Sequence, residues 1–187
     1  SDMDHAQVLN KVLKADIQNI RSTLDELDLN AFETAIEMII QARNIYVMGL
    51  RASAPIAEFF AHYLKFIFPN VRVVTSGVSD VFEQLARIGE GDLLIGLSFP
   101  RYTARSIEAM EFARSRGAEL IAITDGPLSP LHSTANICLM AKSDMSSFVD
   151  SFAAPLSLIN ALIVALGQRR RREVTDYFDS MEQIWDK

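Results

Sequence analysis

The chain has 187 residues, of which 49% are apolar, and a formal charge of −6 with a pI near 5.1. This size and composition favour one folded domain and exclude a disordered chain, while the net negative charge disfavours direct binding of nucleic acid. Cys138 is the single cysteine, which excludes an intrachain disulfide and a cysteine metal cluster, so we expect a reducing, cytoplasmic location and neither a metal nor another cofactor.

The sequence predicts neither a signal peptide nor a membrane span. The longest apolar stretch, residues 153–167, is too short to cross a bilayer and is interrupted by Pro155, Ser157 and Asn160. The first residue is Ser1 and not a methionine, which leads us to expect a fragment of a longer protein.

Two amphipathic helices are predicted to open the chain. Residues 4–27 carry apolar side chains at spacings of three and four, which is the pattern of a helix with one apolar face. A second helix follows at once, and we predict Asn30 as its N-cap with Glu33 completing a capping box. We expect this pair to offer surface for a contact between subunits.

Strands and helices then alternate along the chain. Short apolar runs predict five strands at residues 45–49, 71–75, 93–98, 120–124 and 137–141, with helical patterns between them at 53–68, 79–88, 103–116 and 130–135. The strands are apolar at nearly every position, as parallel strands with helices on both faces must be. Two more helices, at about 150–168 and 171–185, are predicted to close the chain. The pattern is typical of an α/β fold.

Two of the predicted strands lead into turns of similar character. The first turn is Gly49-Leu50-Arg51-Ala52-Ser53, and the second is Ser98-Phe99-Pro100-Arg101-Tyr102-Thr103. Ligands of open parallel sheets bind outside the carboxyl ends of the strands, where the N-terminus of the next helix presents free N–H groups and a positive dipole end. The two turns therefore predict one anion pocket, and its expected ligand is a phosphate ester.

These motifs, in this order, resemble a sugar isomerase (SIS) domain. A third motif is Ile123-Thr124-Asp125 followed by Ser129-Pro130-Leu131. Together the three motifs resemble the effector-binding half of RpiR-type transcriptional regulators within the SIS superfamily, and the similarity covers about residues 35–170. The resemblance implies a three-layer α/β/α sandwich around a five-stranded parallel sheet of flavodoxin-like order, plus N- and C-terminal helices. In that order the first and third strands are neighbours, so the two turns would converge.

The resemblance also implies how the protein is divided. Residues 1–44 would be dimerisation helices linked to an upstream helix-turn-helix DNA-binding domain that is missing from this chain, residues 45–170 the phosphosugar-binding SIS domain, and residues 171–187 a C-terminal helix. These parts would form effectively one globular domain. The expected assembly is a homodimer or tetramer.

Two arginines depart from the usual pattern of the family. The common phosphate loop reads Ser-x-Ser-Gly-x-Thr, and here Pro100 and Arg101 replace its second serine and its glycine, while Arg51 stands where the first turn often has a glycine. A guanidinium can donate two parallel N–H groups to a phosphate or a carboxylate, so these changes could alter the ligand class. The predicted ligand-binding residues are Gly49, Arg51, Ser53, Ser98, Arg101 and Thr103.

Several polar residues have a structural interpretation beside the functional one. Ser53, Ser98 and Ser79 could cap helices, and Asp125 could contact a ligand hydroxyl or shape the Asp-Gly-Pro turn. The run from Arg169 to Arg172 is expected to end a helix or to contact a subunit, because the chain is acidic overall.

Acid–base candidates are few, and this decides between two functions. His132 is the best of them, Glu58 and Glu83 are possible carboxylate bases, and His62 is expected at a packing boundary. For each, a structural position is favoured. We therefore predict a phosphosugar-sensing domain that binds without turnover, and the alternative is a free-standing isomerase of aldose and ketose phosphates.

Overall fold

A five-stranded parallel sheet forms the centre of the molecule. The computed structural model describes residues 2–77 and 79–187. Its strands are β1 Ile45–Gly49, β2 Val71–Val74, β3 Leu93–Leu97, β4 Glu119–Thr124 and β5 Ile137–Met140. They pair in the order β2-β1-β3-β4-β5, and every pair is parallel. The predicted flavodoxin-like order is confirmed, and it makes β1 and β3 neighbours.

Helices cover both faces of this sheet. The helices are α1 His5–Glu26, α2 Leu29–Gln41, α3 Ala54–Leu64, α4 Val81–Gln84, α5 Ala104–Ser115, α6 Ala153–Arg169 and α7 Arg171–Trp185, with one 3₁₀ turn at Arg51–Ser53. One apolar core lies between the sheet and α2, α3 and α6, and the other lies between the sheet, α4 and α5. The predicted three-layer sandwich is therefore confirmed.

The strand β1 shows why the runs are apolar at every position. Ile45 and Val47 pack into the core with α2, α3 and α6, whereas Tyr46 and Met48 pack into the core with α4 and α5. Successive side chains of a strand point to opposite faces, so a sheet between two helical layers needs apolar residues on both.

Two predictions about helix N-caps are wrong. The N-cap of α2 is Asp28, whose carboxylate accepts a hydrogen bond from Ala31 N at 3.0 Å, and Asn30 lies within the first turn. The N-cap of α4 is Asp80 and not Ser79, because the Asp80 carboxylate accepts from Phe82 N at 2.8 Å. In both cases an aspartate lies within two residues of the predicted cap residue, and the aspartate carboxylate forms the cap instead.

Two predicted helices are shorter than expected or absent. The pattern over 79–88 gives only Val81–Gln84, since the chain then forms i to i+3 turns that bury Leu85 and Ile88. Residues 130–135 form successive turns, because Ser129 Oγ accepts from Leu131 N and the chain must straighten to join β5. The division at residues 44 and 170 stays a prediction.

The apolar stripe of α1 is largely exposed to solvent. Leu24 is 71% exposed, Leu9 is 60% exposed and Ile17 is 54% exposed, while the neighbouring face of the helix packs against α6. Within the described residues, no helix has both the length and the apolar character that crossing a membrane requires.

Candidate anion-binding site

A cavity of about 240 Å³ lies at the carboxyl ends of β1 and β3. Residues 50–53 of the first turn and residues 98–101 with Thr103 of the second turn line it. The remaining wall is formed by Phe148, Asp150 and Phe152, which precede α6. Two turns that are separated by about fifty residues in sequence thus share one cavity, because their strands are neighbours in the sheet.

The cavity brings together all but one of the predicted binding residues. Its lining includes Arg51, Ser53, Ser98, Arg101 and Thr103. Gly49 is the last residue of β1 and does not line it. A Cβ atom on Gly49 would collide with the Ser53 carbonyl oxygen and would lie 2.7 Å from Ala57 Cβ. Gly49 is therefore needed for the close approach of α3 to the strand, and its contact with a ligand stays a prediction.

Arg51 and Arg101 share an unusual backbone conformation. Their φ angles are +53° and +66°, and they are the two non-glycine residues with positive φ among residues 2–77 and 79–187. For an L-residue this left-handed region costs about 1–2 kcal/mol. The angles explain why the family pattern has glycines at these positions, since glycine adopts positive φ freely. Strain of this kind collects at functional sites, where the surrounding structure holds it.

The hydroxyls of Ser53 and Ser98 are available to a ligand. Ser53 is the residue before α3, but its side chain forms no cap hydrogen bond. Ser98 lies at the end of β3, far from the N-cap of α5, and its N–H donates to the Ile123 carbonyl at 3.1 Å. In the part of the chain that the structure describes, no fully buried side-chain polar atom lacks a partner, so these two hydroxyls, whose residues line the cavity, are accessible to solvent. The capping alternative is wrong for both serines.

Thr103 has a structural task as well as a place in the cavity wall. It is the N-cap of α5, and its hydroxyl accepts from Ser106 N at 3.1 Å. The same oxygen lies 2.6 Å from Ser106 Oγ, and either hydroxyl can be the donor of that pair. Thr103 can donate to an anion when Ser106 supplies the shared proton, so its contribution to binding depends on its neighbour.

A polar network behind the second turn was not foreseen. The Tyr102 hydroxyl donates to Asp125 Oδ1, and the Thr124 hydroxyl lies 3.2 Å from the same oxygen and 2.7 Å from Ser129 Oγ. Burial, together with the hydrogen bond to Asp125 and its charge, raises the pKa of Tyr102 to about 12. The network fixes the turn that carries Arg101 to the end of β4. The motif that contains Thr124, Asp125 and Ser129 was visible in the sequence. Its contact with Tyr102 was not predicted, because Tyr102 lies in a different motif.

The candidate acids and bases lie elsewhere. His132, Glu58 and Glu83 are exposed and do not line the cavity, and His62 lies in an aromatic group with Tyr63 and Phe66 on the outer side of α3. Burial, followed by the charge of Asp125, raises the pKa of the Cys138 thiol to about 11, so this thiol is unreactive at neutral pH. Of the residues that line the cavity, Asp150 alone carries a carboxylate.

The arginine run near the C-terminus lies at the junction of α6 and α7, where Arg169 and Arg170 form ion pairs. Arg169 pairs with Glu37 of α2 at 2.5 Å, and Arg170, which separates α6 from α7, lies 3.4 Å from Glu173. The Arg169 guanidinium holds the pKa of the Glu37 carboxyl below its usual value. These arginines lie outside the cavity wall, as expected for solvated helix termini.

Comparison with known proteins identifies the family. The SIS domain family matches residues 38–165, which is more than half of the chain. The chain belongs to the SIS domain family. The resemblance read from the three motifs is thereby confirmed at the level of the domain.

Relatives of this SIS domain include transcriptional regulators. An uncharacterized HTH-type transcriptional regulator of Caldanaerobacter subterraneus is 27% identical over 98% of the chain, and HexR of Pseudomonas aeruginosa, also an HTH-type transcriptional regulator, is 33% identical over 69% of the chain. The chain covers 66% of the first relative and 45% of the second. It thus spans only part of the length of these regulators.

Solved structures agree with the fold. The sugar isomerase domain of an RpiR transcription factor from Sphaerobacter thermophilus superposes with a TM-score of 0.90 at 28% identity, covering 95% of this chain and 99% of that domain. Vibrio vulnificus NanR complexed with ManNAc-6P has a TM-score of 0.79 at 20% identity, covering 95% of this chain and 68% of NanR. Phosphoheptose isomerase of Neisseria gonorrhoeae has a TM-score of 0.73 at 19% identity, covering 88% of this chain and all of that one. Fold similarity thus extends to a regulator and to an enzyme.

Proposed function

We propose that this SIS domain is the effector domain of an RpiR-type transcriptional regulator and that it binds a phosphorylated sugar derivative without turning it over. The observation that carries this proposal is the convergence of two arginines and two free serine hydroxyls on one cavity at the carboxyl edge of the sheet. Guanidinium and hydroxyl donors together form a suitable environment for a phosphate ester.

The number of donors is consistent with a sensor of cellular metabolites. A hydrogen bond to a charged group contributes about 1.5–3 kcal/mol. Three or four such bonds, from Ser53, Ser98 and Arg101 with or without Thr103, sum to about −4.5 to −12 kcal/mol, and immobilising the ligand costs about 4 kcal/mol or more, so the net binding free energy is at most about −8 kcal/mol. This limit corresponds to a dissociation constant of about micromolar or weaker.

The regulatory part of the proposal is supported by the relatives. The matched HTH-type regulators extend beyond the region that this chain covers, and the RpiR sugar isomerase domain is similar over nearly its whole length. We propose that DNA is contacted only through a helix-turn-helix domain outside this chain, since the chain itself is acidic. The full protein is proposed to act in the cytoplasm as a homodimer or tetramer.

The composition of the cavity wall supports binding without turnover. Aldose–ketose isomerisation moves a proton between adjacent carbons and needs a base within hydrogen-bond reach of the substrate. His132, Glu58 and Glu83 do not line the cavity, and the described lining contains no histidine. The one carboxylate of that lining belongs to Asp150, and we propose that it accepts hydrogen bonds from the ligand without removing a proton from carbon.

The proposal is tested by binding and turnover measurements on one sample. Hexose 6-phosphates, pentose 5-phosphates and ManNAc-6P are titrated into the purified chain by calorimetry, and the same mixtures are followed by NMR of the anomeric protons. We expect saturable binding of at least one sugar phosphate and unchanged sugar spectra. Steady interconversion of aldose and ketose phosphates would instead support the isomerase.

Variants of the second turn show whether binding takes place in this cavity. Ser98→Ala is expected to weaken binding by about 1–3 kcal/mol, because it removes a donor to a charged group. Ser115→Ala, which changes an exposed serine at the far end of α5, is the matched control and should leave the dissociation constant unchanged. Equal affinities of the Ser98→Ala variant and the parent protein would remove Ser98 from the site.

A further inference from the structure

One residue of the cavity wall has a charge opposite to that of the arginines. Asp150 lines the same cavity as Arg51 and Arg101, and it is half-buried. Among the ion pairs and side-chain hydrogen bonds of residues 2–77 and 79–187, none involves its carboxylate. An ionised carboxylate only accepts hydrogen bonds. This part of the wall therefore attracts hydroxyl donors and repels anions, whereas the two turns attract anions.

The position of Asp150 is fixed by helix α1. Ser151, the next residue, donates its hydroxyl to Asp16 at 2.6 Å, and the buried Asn19 donates to the Asp144 carbonyl at 3.1 Å. These two contacts bracket Asp150 within the segment that leads into α6. A third contact, from Lys142 N to Thr23 Oγ1 at 2.9 Å, attaches the beginning of the same segment to α1. The carboxylate is thus presented to the cavity by an anchored segment.

We propose that Asp150 determines ligand specificity by accepting hydrogen bonds from the hydroxyls of the sugar body. Such a residue selects ligands that have one anionic end and a neutral, hydroxyl-rich remainder, and it disfavours phosphorylated sugar acids, whose carboxylate would face Asp150. This inference rests on the proposed function, because it assigns the part of the ligand that lies beyond the phosphate.

Replacement of Asp150 is expected to change which ligand binds more tightly, one with a neutral sugar body or one with a second anionic end. Loss of a hydrogen bond to a charged acceptor corresponds to about a tenfold loss of affinity for a neutral sugar body. Removal of the like charge is expected to raise the affinity for a second anionic end by about tenfold. Replacement of the carboxylate should therefore shift the ratio of the two affinities by about a hundredfold.

The experiment uses three probes, two variants of Asp150 and one control variant. Glucose 6-phosphate, 6-phosphogluconate and inorganic phosphate are titrated calorimetrically into the parent chain, Asp150→Asn and Asp150→Ala. Asp144→Asn is the matched control, because Asp144 is an exposed aspartate of the same segment whose backbone carbonyl, and not its side chain, is held by Asn19. Inorganic phosphate measures the change in affinity that arises from net charge alone.

The outcomes separate this inference from the function on which it rests. We expect both Asp150 variants to bind glucose 6-phosphate more weakly and 6-phosphogluconate more strongly, with less change for inorganic phosphate and no change of preference in Asp144→Asn. If Ser98→Ala weakens the binding of every probe but the Asp150 variants keep the parent's preference, only the specificity assignment is overturned. If the parent binds neither these probes nor any other sugar phosphate of the panel used to test the proposed function, the proposed function and this inference fail together.

Discussion

The turn after β1 and the turn after β3 present the same groups to one cavity, but they are held in place by different means. The first turn depends on the backbone, because α3 approaches so closely that Gly49 has no room for a side chain. The second turn depends on side chains, namely the Thr103 cap and the hydrogen bond from Tyr102 to Asp125. The first turn should therefore tolerate few substitutions near its strand, whereas the supports of the second can be removed one at a time.

The largest expected effect is a loss of stability in Gly49→Ala. The added Cβ would collide with the Ser53 carbonyl oxygen and with Ala57, and neither can move without shifting α3. We expect about 3 kcal/mol of destabilisation, which lowers Tm by about 6–12 °C in a domain of this size. Gly126→Ala is the matched control, because its Cβ would meet no atom within 4 Å. Equal melting temperatures of the two variants in thermal denaturation would contradict the close contact at β1.

The next effect separates ligand binding from folding at Arg101. Removing the guanidinium in Arg101→Ala or Arg101→Gly should weaken sugar phosphate binding by about 1.5–3 kcal/mol. The apo protein should keep its Tm in Arg101→Ala, and Arg101→Gly should be at least as stable, because glycine adopts the positive φ of +66° without strain. Arg114→Ala, at an exposed arginine of α5, is the control. A marked fall of Tm in both Arg101 variants would assign this arginine to the scaffold.

A smaller effect is expected at the cap of the second turn. Thr103→Ala removes the oxygen that accepts from Ser106 N, and the loss of an N-cap costs about 1 kcal/mol. Chemical denaturation measures this change as a lower free energy of unfolding. Thr103→Ser retains the hydroxyl and should restore most of the stability, so a Thr103→Ser variant as unstable as Thr103→Ala would show that the methyl group, and not the cap, is important.

The last effect is confined to alkaline pH, where the stability depends on the ionisation of Tyr102. The pKa of Tyr102 is about 12 in the folded protein, above the ordinary value near 10 for tyrosine. The folded state therefore favours the neutral phenol, and the stability that it contributes is complete below about pH 10 and is lost as the pH rises to about 12. Tyr102→Phe should reduce the slope of unfolding free energy against pH in this range. Absorbance at 295 nm should also lose its tyrosinate step near pH 12, and an unchanged titration curve would contradict the assignment.

The sequence predicted the layers of this fold better than its details. The strands were found because burial on both faces leaves apolar runs such as Leu93–Leu97, and that signal is local. The neighbouring position of β1 and β3 came from the family resemblance alone, since no local pattern records which strands pair. The prediction of Asn30 as the N-cap failed because Asp28, two positions earlier, is an equally suitable capping residue.

The candidate site was predictable where its residues lie in the two short turns that follow β1 and β3. Arg51, Ser53, Ser98, Arg101 and Thr103 were predicted from the two turns, and the structure places all of them on the cavity wall. The remaining wall is formed by residues about fifty positions further along the chain, and the anchoring of Asp150 depends on α1, more than a hundred residues before it. Contacts between such distant segments leave no periodicity in the sequence.

The left-handed backbone at Arg51 and Arg101 has a consequence for how this binding site can change over generations. Every glycine codon is one nucleotide away from an arginine codon, and at both positions the main chain already has the shape that glycine prefers. A single nucleotide change can therefore replace arginine by glycine at either position, or the reverse, and the encoded backbone conformation stays compatible with both residues. The charge of the cavity wall can therefore change at these two positions without a change of fold.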